Sequence, residues 1–141
     1  MSDLLDKTIE CVFQRVKMYF PHPASSNHRT FVFKGWGWED WIANNDLYCG
    51  KRMFCLRGKK CSWHYHLKKS ETFFVQSGSL LLLYGTSDDL NYSSGRILSE
   101  GDEFHLVAET RHLFYGLKDT VFFEFSTHHE ESDSIRVIKG D

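Results

Sequence analysis

From Arg29 onward, short runs of Phe, Val, Tyr, Leu and Thr alternate with clusters of Gly, Asn, Asp and Ser. Apolar runs of this length, bounded by turn residues, predict strands. They fall at 30–34, 48–57, 61–67, 71–77, 79–85, 96–100, 103–107, 111–116, 121–127 and 134–138, with a polar loop or hairpin over 86–95. Both prolines, Pro21 and Pro23, lie outside these runs, so none is barred from the middle of a sheet. Many short strands at regular spacing argue for a sandwich or barrel. Ahead of them, Leu5, Ile9, Val12, Val16 and Tyr19 recur at helical spacing. That stripe predicts an amphipathic helix over 3–19, ended by the prolines and packed outside the sheets. The expected organisation is a helix and linker over 1–28 and one β-barrel over 29–141.

Composition narrows the picture. A chain of 141 residues fits one domain with a real core. Its formal net charge of −2 shows no basic excess that would suggest a nucleic-acid partner. The apolar runs, such as Leu80–Tyr84, are too short to predict a membrane span. The opening MSDLLDKTIE has no apolar signal core, so a cytoplasmic protein is expected. Cys11, Cys49, Cys55 and Cys61 match no zinc-ribbon or CxxC spacing. Reduced, mostly buried thiols are expected, with Cys61, three residues before His64, as an alternative ligand.

The segment GKKCSWHYHLKKSETFFVQSG (58–78) carries the candidate chemistry. A strand alternates its side chains between two faces, so His64 and His66 point the same way and Tyr65 the other. Glu71, across a polar turn, can return to that face from the next strand. Two imidazoles and a carboxylate form a facial set for a divalent first-row metal and leave positions open for chemistry.

Gly58, His64, His66, Glu71 and Gly78 also fit G-x5-H-x-H-x4-E-x6-G, and the chain resembles the cupin superfamily on that motif. The second cupin motif, G-x5-P-x-G-x2-H-x3-N, is matched by Gly101 and His112; Val107, Glu109 and Gly116 stand at its Pro, Gly and Asn positions. The resemblance implies an all-β double-stranded β-helix, or jelly-roll barrel, with His112 as a fourth ligand. It also implies one divalent transition metal, of which Zn, Mn, Fe and Ni are the candidates. KGWGWEDWI (34–42) and VFFEFSTHHEESDSIRV (121–137) are similar to the flanks of mannose-6-phosphate isomerase-like and D-lyxose isomerase-like sugar cupins. Lys34–Gly35 replaces their usual proline.

That likeness implies a small-molecule carbohydrate substrate and an isomerase or epimerase reaction, with the metal as Lewis acid. Glu124 interrupts the apolar strand VFFEF and is the candidate catalytic base; alternatively it is the structural partner of a nearby cation. Lys51, Arg52 and Arg136 could bind a phosphate or carboxylate of the substrate. Trp36, Trp38 and Trp41 either plug the barrel or offer a face to a sugar ring. His22, His28, His105, His128 and His129 are expected to face solvent. Tyr65, Phe74, Leu113 and Tyr115 form an outward set that packs under the helix or makes a homodimer face. The competing functions are an Fe(II)-dependent dioxygenase, a lyase on a small carboxylate and a non-catalytic ligand-binding cupin.

Overall fold

The computed structural model describes residues 29–141. The helix expected over 3–19, its linker and Cys11 lie outside the described residues. Two antiparallel sheets face each other. The six-stranded sheet runs β1 (Thr30–Lys34), β2 (Gly37–Asn44), β3 (Cys49–Cys55), β10 (Thr120–Ser126), β5 (Glu71–Ser77), β8 (Glu103–Leu106). The five-stranded sheet runs β11 (Ser134–Ile138), β4 (Trp63–His66), β9 (Arg111–Gly116), β6 (Ser79–Gly85), β7 (Ser94–Ser99). From β3 to β6 and again from β7 to β11, successive strands cross from one sheet to the other. Each crossing brings a strand end from one layer over the face of the other.

The predicted strands at 30–34, 71–77, 79–85, 111–116 and 134–138 form with those bounds, and the other predicted runs form with shifted ends. The loop at 86–95 holds a short 3-10 turn (Leu90–Tyr92) and the start of β7. Sequence pattern missed β2, because GWEDWIAN carries adjacent acids where a half-buried strand normally alternates. Both acids are buried by pairing. Glu39 meets Lys34 and Lys51 on one face, and Asp40 meets Arg29 and Arg52 on the other. A buried charge is tolerated when it is paired and hydrogen-bonded.

The space between the layers is filled mainly by apolar side chains. Phe73, Phe114, Phe122, Val75, Leu80, Leu82, Leu98 and Trp63 are almost fully buried. Phe122 packs edge-on against Phe73 and Phe114, and Trp36 edge-on against Phe114. Phe73 also contacts the ring of His112, so one apolar cluster braces the polar end of the barrel. A smaller cluster, Trp38, Phe54 and Val121, lies apart from it. Of the expected outward set, Leu113 is buried, Tyr65 lies beneath the Arg111 guanidinium at 3.8 Å, and Phe74 is partly exposed.

Two backbone positions bear on the motif. Gly78 turns the chain between β5 and β6 at φ +95°, and a Cβ there would lie 2.5 Å from the Asp119 carbonyl oxygen. Glu109, where the second cupin motif carries glycine, takes φ +67° all the same. Its N–H donates to the His66 carbonyl at 2.6 Å, which ties the turn before β9 to the end of β4. Gly78→Ala combines a backbone clash with a disfavoured φ and should lower unfolding stability by about 2 kcal/mol or more. Urea denaturation checks this; a loss below about 0.5 kcal/mol would contradict the assigned turn geometry.

Candidate metal centre

Cross-strand register sets the site. His64 on β4 pairs directly with His112 on β9, and their rings lie 4.3 Å apart. His66, two residues along β4, shares their face, with its ring 5.2 Å from His64. The ligand atoms of the three imidazoles all lie within 4.8 Å of one another. Glu71, the first residue of β5, enters from the opposite sheet. Its Oε1 is 2.6 Å from His112 Nε2 and 3.8 Å from His66 Nε2. His66, Glu71 and His112 are buried, and His64 is half-buried.

Each ring is oriented from behind by a backbone carbonyl. Nδ1 of His64 lies 2.9 Å from Ser62 O, that of His66 3.1 Å from Asp133 O, and that of His112 3.0 Å from Thr110 O. A carbonyl only accepts, so each Nδ1 carries the proton and donates it. A neutral imidazole held this way keeps its Nε2 lone pair for a metal, the usual outer-shell arrangement of ligating histidines. Burial is the main cause that holds the His64 ring well below the ordinary histidine pKa, with His112 adding to it. Burial and then Lys69 bring His66 down to about 4. Both are therefore uncharged at neutral pH.

Among the described residues, buried Glu71 Oε1 has no hydrogen-bond partner, although the His112 nitrogen lies against it. With His112 donating through Nδ1, a lone pair and a carboxylate oxygen face each other, and a shared cation reconciles them. Glu71 itself stays ionised: burial pushes its pKa up, but the Lys69 ammonium outweighs that and holds it well below the carboxylate range. Three imidazole nitrogens and one carboxylate oxygen thus fit a divalent transition metal.

The centre lines a cavity of about 280 Å³. Glu124 and Lys51 both line it, as does Arg136 with its side chain about half exposed. Arg52 does not line it. Adjacent strand residues point to opposite faces, so with Lys51 directed inward Arg52 faces outward, where it pairs with Asp40 at 3.1 Å. The tryptophans divide likewise. Trp36 lines the cavity, and Trp38 packs against Phe54 in the smaller cluster. Trp41 donates its indole N–H to Glu39 at 2.8 Å. Cys61 also lines the cavity, but its sulfur accepts the Phe114 N–H at 3.3 Å, and burial pushes its thiol pKa well up. That is the behaviour of a structural thiol.

Two further polar residues line the cavity: Lys69, which lies outside the expected site residues, and His129, which was expected to face solvent. Lys69, in the polar turn KKS, is buried, with Nζ 2.6 Å from Glu71 Oε2 and 2.8 Å from Glu124 Oε1. Its backbone N–H, with those of Leu67 and Lys68, is held by the Asp133 carboxylate. His129 is buried as well, its ring 4.8 Å from Trp41. His105 is exposed and His128 half-buried.

The depressed histidines give the metal-free protein a signed pH dependence. The unfolded chain binds a proton on His66 below its ordinary 6.5, and the folded chain only near 4, so acid favours unfolding in that window. Stability of the metal-free protein should fall as pH drops from about 6.5 to about 4, by roughly 3 kcal/mol from this residue, and His66→Gln should flatten the slope. Urea unfolding across that range measures it; a flat profile or a gain in acid would contradict the buried neutral ring.

No protein-family model and no curated protein matches the chain by sequence. Solved structures match by shape. The capsular polysaccharide assembling protein CapF from Staphylococcus aureus superposes with TM-score 0.67 at 17% identity, covering 84% of this chain and 36% of its own. KdgF from Halomonas sp. gives 0.62 at 16%, covering 73% and 91%. Oxalate decarboxylase from Bacillus subtilis gives 0.66 at 16%, covering 82% and 33%. The chain thus spans about a third of the CapF and decarboxylase chains and most of the KdgF chain. All three are cupin-fold proteins, and two facing antiparallel sheets around a three-histidine cluster make this chain a protein of the cupin fold.

Proposed function

We propose that this protein is a metal-dependent cupin enzyme acting on a small sugar or sugar derivative, removing a proton from a carbon beside a carbonyl and returning it to that carbon or its neighbour, as epimerases and isomerases do. The observation that carries the reading is Glu124, a buried carboxylate in the same cavity as the histidines and joined to Glu71 through one lysine ammonium. His64, His66, His112 and Glu71 Oε1 would hold the ion, which supplies Lewis acidity to a substrate carbonyl and its adjacent hydroxyl.

The remaining steps belong to the chain's own groups. Burial raises the Glu124 pKa, but Lys69 and Lys51 outweigh that and hold it below the ordinary carboxylate value. It is therefore ionised at neutral pH, as a base must be before it takes a proton. Hydrogen bonds from Lys69 Nζ and Ser126 Oγ both land on its Oε1, which leaves Oε2 as the oxygen to receive the proton and return it. The cavity lies at the small end of ligand pockets, which run from about 300 Å³ upward, so it suits a monosaccharide-sized molecule. The part that CapF, a capsular polysaccharide assembling protein, plays agrees with a carbohydrate setting. Lyase chemistry on a small carboxylate is the second reading; the lysines of the wall and the fold-level likeness to oxalate decarboxylase favour it.

The test is deuterium incorporation from solvent into aldoses, ketoses and their phosphates by the metal-loaded protein. Glu124→Gln should keep the metal and lower exchange at the α-carbon by about 100-fold or more. Retained exchange in that variant would remove Glu124 as the base. Release of carbon dioxide from a carboxylate without exchange would favour the lyase reading.

A further inference from the structure

A row of alternating charges crosses the cavity wall and ends at the metal ligands. Lys34 Nζ lies 3.7 Å from Glu39 Oε1, and Glu39 Oε2 lies 3.4 Å from Lys51 Nζ. Lys51 is 3.9 Å from Glu124 Oε1, Glu124 is 2.8 Å from Lys69, and Lys69 is 2.6 Å from Glu71 Oε2. Five of these six side chains are nine-tenths buried or close to it; Lys34 is the more exposed end. Three ammonium groups thus meet three carboxylates, and Glu71, which would ligate the metal, already serves to neutralise Lys69.

The other two carboxylates of the wall are engaged with cations of their own. Glu131 lies 3.5 Å from Arg136, and Asp141 lies 3.8 Å and 3.9 Å from Lys59 and Lys60. Among the described residues the wall therefore holds no carboxylate in reserve for the two positive charges of a divalent ion. A charge left unmatched in a desolvated site is costly. The exposed cations of the wall, Lys139 and Arg136, the latter shared with Glu131, repel a cationic ligand and attract an anionic one.

We infer that the ligand of this site carries its negative charge on the metal-chelating group itself, as a 2-hydroxy- or 2-oxo-carboxylate such as a sugar acid. This rests on the metal reading and narrows its substrate class. A carboxylate oxygen and the neighbouring hydroxyl or carbonyl oxygen would occupy the open positions, so that the charge is neutralised where it is unbalanced. A neutral aldose leaves the imbalance in place. A sugar phosphate places its charge several bonds from the chelating oxygens, nearer the exposed cations than the ion.

Gluconate, glucose and glucose 6-phosphate share a six-carbon polyol skeleton and separate these cases. Each is titrated calorimetrically into the zinc-loaded protein, with zinc measured on the same sample. Gluconate should bind about tenfold or more tighter than glucose, and tighter than glucose 6-phosphate. Equal binding of gluconate and glucose with one zinc retained would overturn this inference and leave the metal reading standing. Tightest binding of glucose 6-phosphate would move the charge to the exposed cations and overturn it too. A protein that takes up no zinc would overturn both.

Discussion

The structure depends on one convergence: three imidazole lone pairs and one carboxylate oxygen directed at the same small volume. None of these groups would be placed there by packing alone. The rings are turned inward by three carbonyls that hold their Nδ1 protons, and Glu71 Oε1 is buried with no hydrogen bond among the described residues. Facing lone pairs repel and desolvation adds to the cost, which a cation shared among these groups would offset. The jelly roll makes it attainable, because β4 and β9 lie side by side in one sheet while β5 comes from the other. The apolar cluster of Phe73, Phe114 and Phe122 fixes the spacing between the layers.

Lys69 links this centre to the rest of the cavity. Its ammonium takes one oxygen of Glu71 and leaves the other to the histidines, and the same ammonium holds Glu124. Asp133 stands behind both. Its carboxylate clamps the turn that carries Lys69, and its carbonyl orients His66. The geometry of the histidine cluster and the position of Glu124 are therefore not independent. A buried ammonium between two carboxylates fixes their relative position, and removing it would leave two uncompensated charges.

The three-histidine cluster and the carboxylate beside it were legible because metal coordination demands residue types at spacings that a strand pair can satisfy. His64 and His66 at i and i+2, Glu71 after a turn and His112 downstream stand out for that reason. What stayed hidden was polarity cancelled by distant partners. Glu39 and Asp40 made β2 look unlike a strand until their cations, some of them a strand away, are in place. Lys69 sits beside Lys68 in a turn that looks solvated; the Lys68 side chain is 80% exposed and that of Lys69 2%, a difference no local pattern encodes. His129 is buried by Trp41, far away in sequence. The placement of Arg52 outside the cavity could have been anticipated, since neighbours on one strand cannot both face inward.

Metal content joined to coordination tests the account most directly. The protein should retain one divalent transition ion per chain after purification or loading, and X-ray absorption should show three imidazole nitrogens and one carboxylate oxygen. His64→Ala should strongly lower occupancy. Full occupancy in that variant, or no retained ion in the unaltered protein, would contradict the centre on which the rest is built.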